Sequence, residues 1–198
     1  MRIVVTQRVE VVASYGERRD CLDQQWTVLL AQLSMQCIPV PNRARAGDFA
    51  ALADGLILSG GNDLADLPGG TNTAPERDAL EGELAQACLE RGLPVLGVCR
   101  GLQFLNCFFG GSLAAITDHT ATRHPLEGLF TGPVNSFHNF ALGRLGEGLQ
   151  PVASAPDGSI EAVRHTHHRL QAVMWHPERE PNFPDRDWLE QFFRGSKP

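Results

Sequence analysis

The sequence predicts an α/β protein: a mostly parallel central sheet with helices on both faces, plus a small region of antiparallel strands. Three observations carry this. In the first half, short apolar runs alternate with stretches of helical periodicity, the pattern of parallel strands joined by crossover helices. Two of those runs, Gly55–Leu58 and Pro94–Val98, lead directly into glycine-containing turns. Sheets of this class place their active residues at such strand ends. After Gly111 the pattern changes to short strands separated by turns.

Each element has its own justification. Ile3–Thr6 is a first strand. Leu22, Trp26, Leu29, Leu30 and Leu33 recur at helical spacing and predict a helix from about Arg19 to Met35. Cys37–Val40 is a strand ended by Pro41, and Gly55–Leu58 is another. Pro75–Arg91 reads as a helix with proline in its first turn and Gly92 as its stop. Pro94–Val98 is a buried strand followed by an apolar helix. Ser112–Ile116, Gly132–Ser136, Ser159–Arg164 and Leu170–Trp175 are the short strands of the second half. A final helix, Asp185–Arg194, turns Trp188, Leu189, Phe192 and Phe193 inward. No repeat or long linker divides the chain, so residues 1–198 are expected to form one domain.

Composition narrows the class. A chain of 198 residues with 42% hydrophobic content can bury a sizeable core. A net charge of -6 without a basic block argues against nucleic-acid or anionic-membrane binding. No run approaches the roughly 20 apolar residues of a membrane span, and the amino terminus lacks the apolar region of a signal peptide. Cys21, Cys37, Cys88, Cys99 and Cys107 form no C-x-x-C and no zinc spacing. An odd count with one reactive-looking member suits a reducing cytosol, so a cytoplasmic protein is expected.

The chemistry centres on Gly97-Val98-Cys99-Arg100-Gly101, where a buried strand turns sharply into a helix. This is a nucleophile elbow with sulfur in place of hydroxyl. Gly97 and Gly101 remove side chains that would clash where strand and helix pass close together. Cys99 falls at the first turn of the helix, where free N–H groups and the dipole favour a thiolate. The same N–H groups, that of Arg100 foremost, can hold the oxyanion of a tetrahedral intermediate. A second element, Trp175-His176-Pro177-Glu178, ends a short apolar run. Pro177 biases His176 towards extended backbone, and positions two apart in an extended segment face the same way. Glu178 can therefore fix the tautomer of His176 and raise its basicity, as the general base of a thiol requires.

Together, G-V-C-R-G with Gln103 following and W-H-P-E in the last quarter resemble the class I glutamine amidotransferases and their γ-glutamyl hydrolase relatives of peptidase C26 type. The resemblance covers nearly the whole chain and implies their flavodoxin-like fold. Ile57-Leu58-Ser59-Gly60-Gly61-Asn62-Asp63 is similar to the glycine loop that completes the family's oxyanion hole. Gly61 N–H would be the donor, with Gly60 beside the substrate. Val134-Asn135-Ser136-Phe137-His138 looks like the segment whose backbone grips the glutamyl amino and carboxylate groups, which implicates Asn135, Ser136 and Phe137. By the same resemblance Gln103 lines the glutamyl pocket.

The departures are informative. Many synthase-coupled amidotransferases carry proline after the paired glycines, whereas this chain has Asn62 and Asp63, as in stand-alone γ-glutamyl-amide hydrolases. Arg100 stands where glutamine-using members often have an aliphatic residue. It is either a salt-bridged surface residue or a cation at the mouth facing an acidic leaving group. Tyr15–Asp20 reads as a helix start or as a leaving-group site in which Arg18 or Arg19 meets a phosphate or carboxylate. His119, Arg123 and His124 are candidates for the border of the same cleft. His165, His167 and His168 flank a turn without a carboxylate or cysteine partner, so no metal is expected of them.

The mechanism this implies is acyl transfer through Cys99 with His176 as acid and base, Glu178 behind it, and no cofactor. Three uses compete. One is a free-standing hydrolase of a γ-glutamylated small molecule, of the γ-glutamyl-γ-aminobutyrate or γ-glutamyl-CDP-amidate type. Another is a glutaminase subunit feeding ammonia to a partner synthase, in surface-polysaccharide or capsule biosynthesis. A non-catalytic binding module is disfavoured because all three triad residues are present.

Overall fold

Residues 1–195 are described by a computed structural model. In chain order its elements begin with β1 (Arg2–Thr6), β2 (Arg8–Val12), β3 (Glu17–Cys21), α1 (Gln25–Gln32), β4 (Gln36–Val40), α2 (Ala46–Leu52) and β5 (Gly55–Leu58). Next are α3 (Pro75–Glu90), β6 (Val95–Val98), α4 (Arg100–Phe108), β7 (Leu113–Ala115), β8 (Thr120–Gly128) and β9 (Gly132–Phe137). The chain continues through β10 (Phe140–Leu142), β11 (Leu149–Ser154), β12 (Ile160–His165), β13 (Leu170–Val173) and α5 (Arg186–Arg194). The expected single unit over 1–198 includes residues 196–198, which lie outside the described residues.

Nine strands form one sheet in the order β4-β1-β5-β6-β13-β12-β11-β8-β9. The first five run parallel and the last four antiparallel. The antiparallel region expected after Gly111 thus extends the central sheet. Strands buried on both faces must be apolar at successive positions, and β1, β5 and β6 are. Val4, Leu56, Leu58 and Val95 pack towards α2, α3 and α4, with Leu84, Leu102 and Leu105. Ile3, Val5, Ile57, Leu96 and Val98 pack the other way onto Trp26, Leu29 and Leu30 of α1 and Leu189 and Phe193 of α5. No helix among the described residues is long and apolar enough to cross a membrane.

One expectation fails in an instructive way. The helix foreseen from Arg19 to Met35 occupies only Gln25–Gln32, and the segment before it is strand β3, paired antiparallel with β2. Gly16, at φ 74°, closes the turn by donating its N–H to the Val12 carbonyl at 2.8 Å. This left-handed position suits glycine and commits Glu17–Cys21 to the hairpin. The helix begins after Asp23, whose carboxylate accepts from the Gln25 N–H at 3.0 Å. Its apolar face is the expected one: Trp26, Leu29, Leu30 and Leu33 are buried. Arg18 and Arg19 are therefore hairpin residues, not the start of a helix. The element pattern did not include β2, α2, β8, β10 or β11.

Candidate active site

Because β5, β6 and β13 are neighbours and parallel, the loops leaving their carboxyl ends converge. From β5 comes Ser59–Asn62, from β6 comes Cys99, and from β13 comes His176. Cys99 is nearly buried and sits at φ 53°, ψ -108°, a strained backbone for a residue with a side chain. The elbow is held by the Cys99 N–H, which donates to the Val173 carbonyl at 2.8 Å. The flanking glycines are required by contact. A Cβ on Gly101 would overlap the Leu58 carbonyl oxygen, and one on Gly97 would lie 2.8 Å from the Gly101 oxygen. A Cβ on Gly60 would meet His176 Cε1 at 2.6 Å and Cys99 Cβ at 3.5 Å, so this glycine lies directly against both side chains.

His176 and Glu178 meet, though not through continuous extended backbone. His176 is extended, and Pro177–Arg179 then forms a 3-10 turn. The turn brings Glu178 Oε1 to 2.7 Å from His176 Nδ1, with both side chains buried. That contact orients the ring and leaves Nε2 on the other side. Burial pulls the imidazole pKa down, but the charge of Cys99 beside it, the hydrogen bond with Cys99 and then Glu178 outweigh it, raising the value to about 9. A folded pKa above the usual 6.5 means that the pairing stabilises the fold fully below about pH 6.5. The contribution is lost as pH rises through about 9. The kcat/KM for an amide that needs the imidazolium to protonate its leaving nitrogen should accordingly fall on the alkaline side with an apparent pKa near 9. An alkaline limb near 6.5 in the pH–rate profile would contradict this pairing.

Beneath the glycine loop lies a charged network that the sequence reading did not identify. Arg77, fully buried on α3, donates to the Ser59 carbonyl at 2.6 Å, to the Gly60 carbonyl at 3.1 Å and to the Gly61 carbonyl. Its Nε donates to Glu81 at 2.8 Å. With its carbonyls held from below, the loop is fixed in orientation. Gly61 lies at φ 85° and Asn62 at φ 64°. Arg100 completes the network through Glu81 and Asp78. Its side chain is buried, so it is neither a surface residue nor a cation at the mouth. Its backbone N–H remains at the start of α4, beside Cys99.

Asn62 explains the S-G-G-N-D departure. Its side chain accepts from the Val9 N–H at 2.8 Å and donates to the Val9 carbonyl at 2.9 Å, lacing β2 to the glycine loop. This places Arg8 over Gly61, where a Cβ would lie 3.1 Å from Arg8 Cδ and 3.2 Å from Nε. Arg8 Nε is buried without a hydrogen-bond partner among the described residues, while Nη2 meets the exposed Glu10 carboxylate at 2.5 Å. Arg8 was not among the sequence candidates, and only the hairpin brings it here. Arg18 is paired with Glu76, and Arg19 with Glu17 and the Tyr15 hydroxyl. Both are cations on the same hairpin with partners of their own.

Asn135 clamps His176 reciprocally: its amide oxygen accepts from the His176 N–H and its amide nitrogen donates to the His176 carbonyl, both at 2.9 Å. The Asn135 N–H donates to Glu180 at 2.7 Å. The Ser136 hydroxyl donates to the His119 carbonyl at 2.7 Å. The Asn135 N–H and the Ser136 hydroxyl are thus both engaged within the protein. Phe137 is 44% exposed, with its ring edge-on to His176 at 5.9 Å. Gln103 lies one turn along α4 from Cys99, its amide donating to the Phe140 carbonyl at 2.9 Å. Arg123 pairs with Glu180 while staying half exposed, and His119 and His124 turn inward towards Glu161. His165 accepts from the His167 and His168 N–H groups at 3.0 and 3.1 Å, a turn-closing role.

The chain has relatives among proteins of known sequence and structure. The chain is 32% identical to the γ-glutamyl-CDP-amidate hydrolase of Campylobacter jejuni, over 98% of each chain. It is 33% identical to a glutamine amidotransferase-like protein of Lactococcus lactis, over 80% of this chain and 81% of that one. A solved structure from Thermoplasma acidophilum, provisionally described as a GMP synthase component, superposes with a TM-score of 0.75 at 21% identity. It covers 98% of this chain and 92% of that chain. The Peptidase C26 family model matches residues 4–128 and 126–178, spanning the elbow, the glycine loop and the His176–Glu178 turn. The chain belongs to the Peptidase C26 family and is a hydrolase on the glutamine amidotransferase fold.

Proposed function

We propose that this chain hydrolyses the γ-glutamyl amide bond of a small metabolite with an anionic leaving group, of the γ-glutamyl-CDP-amidate type. The observation that carries the reading is His176 packed between the Cys99 elbow, the Gly60 backbone and the Glu178 carboxylate. Cys99 Sγ attacks the γ-carbonyl carbon, and the oxyanion is received by the Gly61 and Arg100 N–H groups. His176 gives its proton to the leaving nitrogen, the C–N bond breaks, and a thioester remains. Water then loses a proton to His176 and attacks the thioester, releasing glutamate and returning the proton to sulfur.

The substrate class rests on two supports. One is the near full-length similarity to the Campylobacter jejuni hydrolase. The other is Arg8, a partly exposed guanidinium placed over the oxyanion loop, which suits a phosphate or carboxylate on the departing amine. The isolated chain should cleave such an amide with a kcat/KM at least about tenfold above that for glutamine, because contacts to the leaving group are realised in the transition state. Arg8→Ala should remove about tenfold from the anionic amide and leave glutamine little changed. Equal losses on both substrates would refute the assignment of Arg8. A chain inert towards every γ-glutamyl amide, but active on glutamine with a partner protein, would show a glutaminase subunit instead.

A further inference from the structure

Three histidines and one glutamate from separate strands and loops turn their side chains to a common point. His119 precedes β8, His124 lies on it, His138 follows β9 and Glu161 belongs to β12. One ligand atom from each lies within 4.8 Å of all the others. We infer that His119, His124, His138 and Glu161 form a binding site for a divalent transition metal, zinc by the character of its ligands.

His119 Nε2 faces the Asp157 carboxylate at 3.0 Å, His138 Nδ1 the Phe140 carbonyl at 3.1 Å, and His124 Nδ1 the Pro125 carbonyl at 3.2 Å. An acceptor on the outer side of each ring places the proton of a neutral imidazole there. The inner atoms, His119 Nδ1, His138 Nε2 and His124 Nε2, are then lone pairs, and the fourth inward group is a carboxylate. Four acceptors therefore converge with no donor among them. A proton on one ring could satisfy a single contact and would leave the others opposed. Indeed His124 Nε2 and Glu161 Oε2 are buried without a hydrogen-bond partner among the described residues. A divalent cation satisfies all four at once.

Distances agree. His119 Nδ1 and His138 Nε2 are 3.3 Å apart, and each is 3.5 Å from Glu161 Oε1. A tetrahedral zinc with bonds of about 2.0–2.1 Å puts its ligand atoms about 3.3 Å apart, so these three atoms outline one face of such a site. His124 Nε2 lies 3.8 Å from Glu161 Oε2, and the four residues' ligand atoms all fall within 4.8 Å of one another, near enough for it to serve as the fourth ligand. Imidazole with one carboxylate suits zinc rather than calcium or magnesium. Outer partners that fix each ring, a carboxylate and two carbonyls, are the usual second support of metal-bound histidine.

The position gives the metal a structural task. The His119 carbonyl accepts from the Ser136 hydroxyl and the His138 N–H, and Asn135 beside Ser136 clamps the His176 backbone. The Glu161 carbonyl accepts from the Met174 N–H at 2.7 Å, two residues before His176. Metal at this point would tie β8, β9 and β12 together beside the strand that carries His176.

The test uses the full chain without a histidine tag, stripped with a chelator and titrated with Co2+ and then Zn2+. One Co2+ per chain should bind with the visible absorption of a tetrahedral site, and Zn2+ should displace it. Glu161→Gln and His124→Ala should each weaken Co2+ binding by about 100-fold or more, and the outer-partner variant Asp157→Asn by about 10–100-fold. His165→Ala should leave the titration unchanged. His124 is partly exposed, so its variant keeps the test open even if Glu161→Gln fails to fold. A folded wild-type chain that takes up no Co2+ or Zn2+ at one equivalent would overturn the inference. So would uptake that survives both ligand variants.

Discussion

Cys99→Ala is expected to lower kcat for a γ-glutamyl amide by about 10⁴-fold or more, while the chain stays folded. The magnitude follows from removal of the sulfur proposed to form the thioester. What remains is the rate from binding and the oxyanion donors. The small stability effect follows from geometry: alanine loses one sulfur atom at a nearly buried site, and the backbone at φ 53° is held by the neighbouring strands whichever side chain is present. The other thiols provide an internal control. Burial raises the pKa of Cys88 to about 11 and pushes Cys37 and Cys107 up as well. Iodoacetamide at neutral pH should therefore modify Cys99, beside His176, before those three. Turnover near the wild-type rate in a folded Cys99→Ala chain would end the cysteine mechanism.

Arg77→Met should have the largest effect on stability, lowering it by about 3–5 kcal/mol, the usual cost of breaking a buried charge pair from one side. In a chain of this size that is a fall in Tm of about 10 °C. Burial lowers the Arg77 pKa to about 10 against the opposing charge of Glu81, so the side chain is a cation at neutral pH. Methionine would leave Glu81 facing Arg100 and Thr6 alone, and would release the carbonyls of Ser59, Gly60 and Gly61. Arg77→Lys separates the two roles: it keeps the charge but not the planar fork that reaches several carbonyls at once. It should hold more of the stability yet still lose about 10²-fold in kcat with little change in KM, as when an oxyanion donor is displaced. Thermal denaturation beside steady-state kinetics checks both. A lysine variant with unaltered kcat would show that the network serves stability alone.

Local order along the chain determined much of this protein. The strands and helices around Ile3–Thr6, Gly55–Leu58, Pro75–Arg91 and Pro94–Val98 are set by apolar runs, proline and glycine within about a dozen residues, and these elements form where the pattern places them. Cys99 between Gly97 and Gly101 is legible for the same reason, since a sharp strand-to-helix turn makes local demands on side-chain volume. His176 and Glu178 are two positions apart in sequence, though a 3-10 turn rather than an extended strand joins them.

Tertiary structure decided the rest, and the reason is distance along the chain. Whether Arg100 meets solvent or a buried glutamate depends on how α3 crosses the sheet, 19 residues earlier in the sequence at Glu81. Arg8 reaches Gly61 because Asn62 binds Val9 across 53 residues. Glu17–Cys21 had a helical continuation as a competing choice, and the pairing across Gly16 tipped it to strand. The histidines at 119, 124 and 138 look like scattered polar residues until β8 pairs with β9 and, through β11, joins the sheet that carries Glu161 on β12. Periodicity reports which side of an element is apolar. It carries no record of which polar groups two distant elements will press together, and that register is set only when the sheet is assembled.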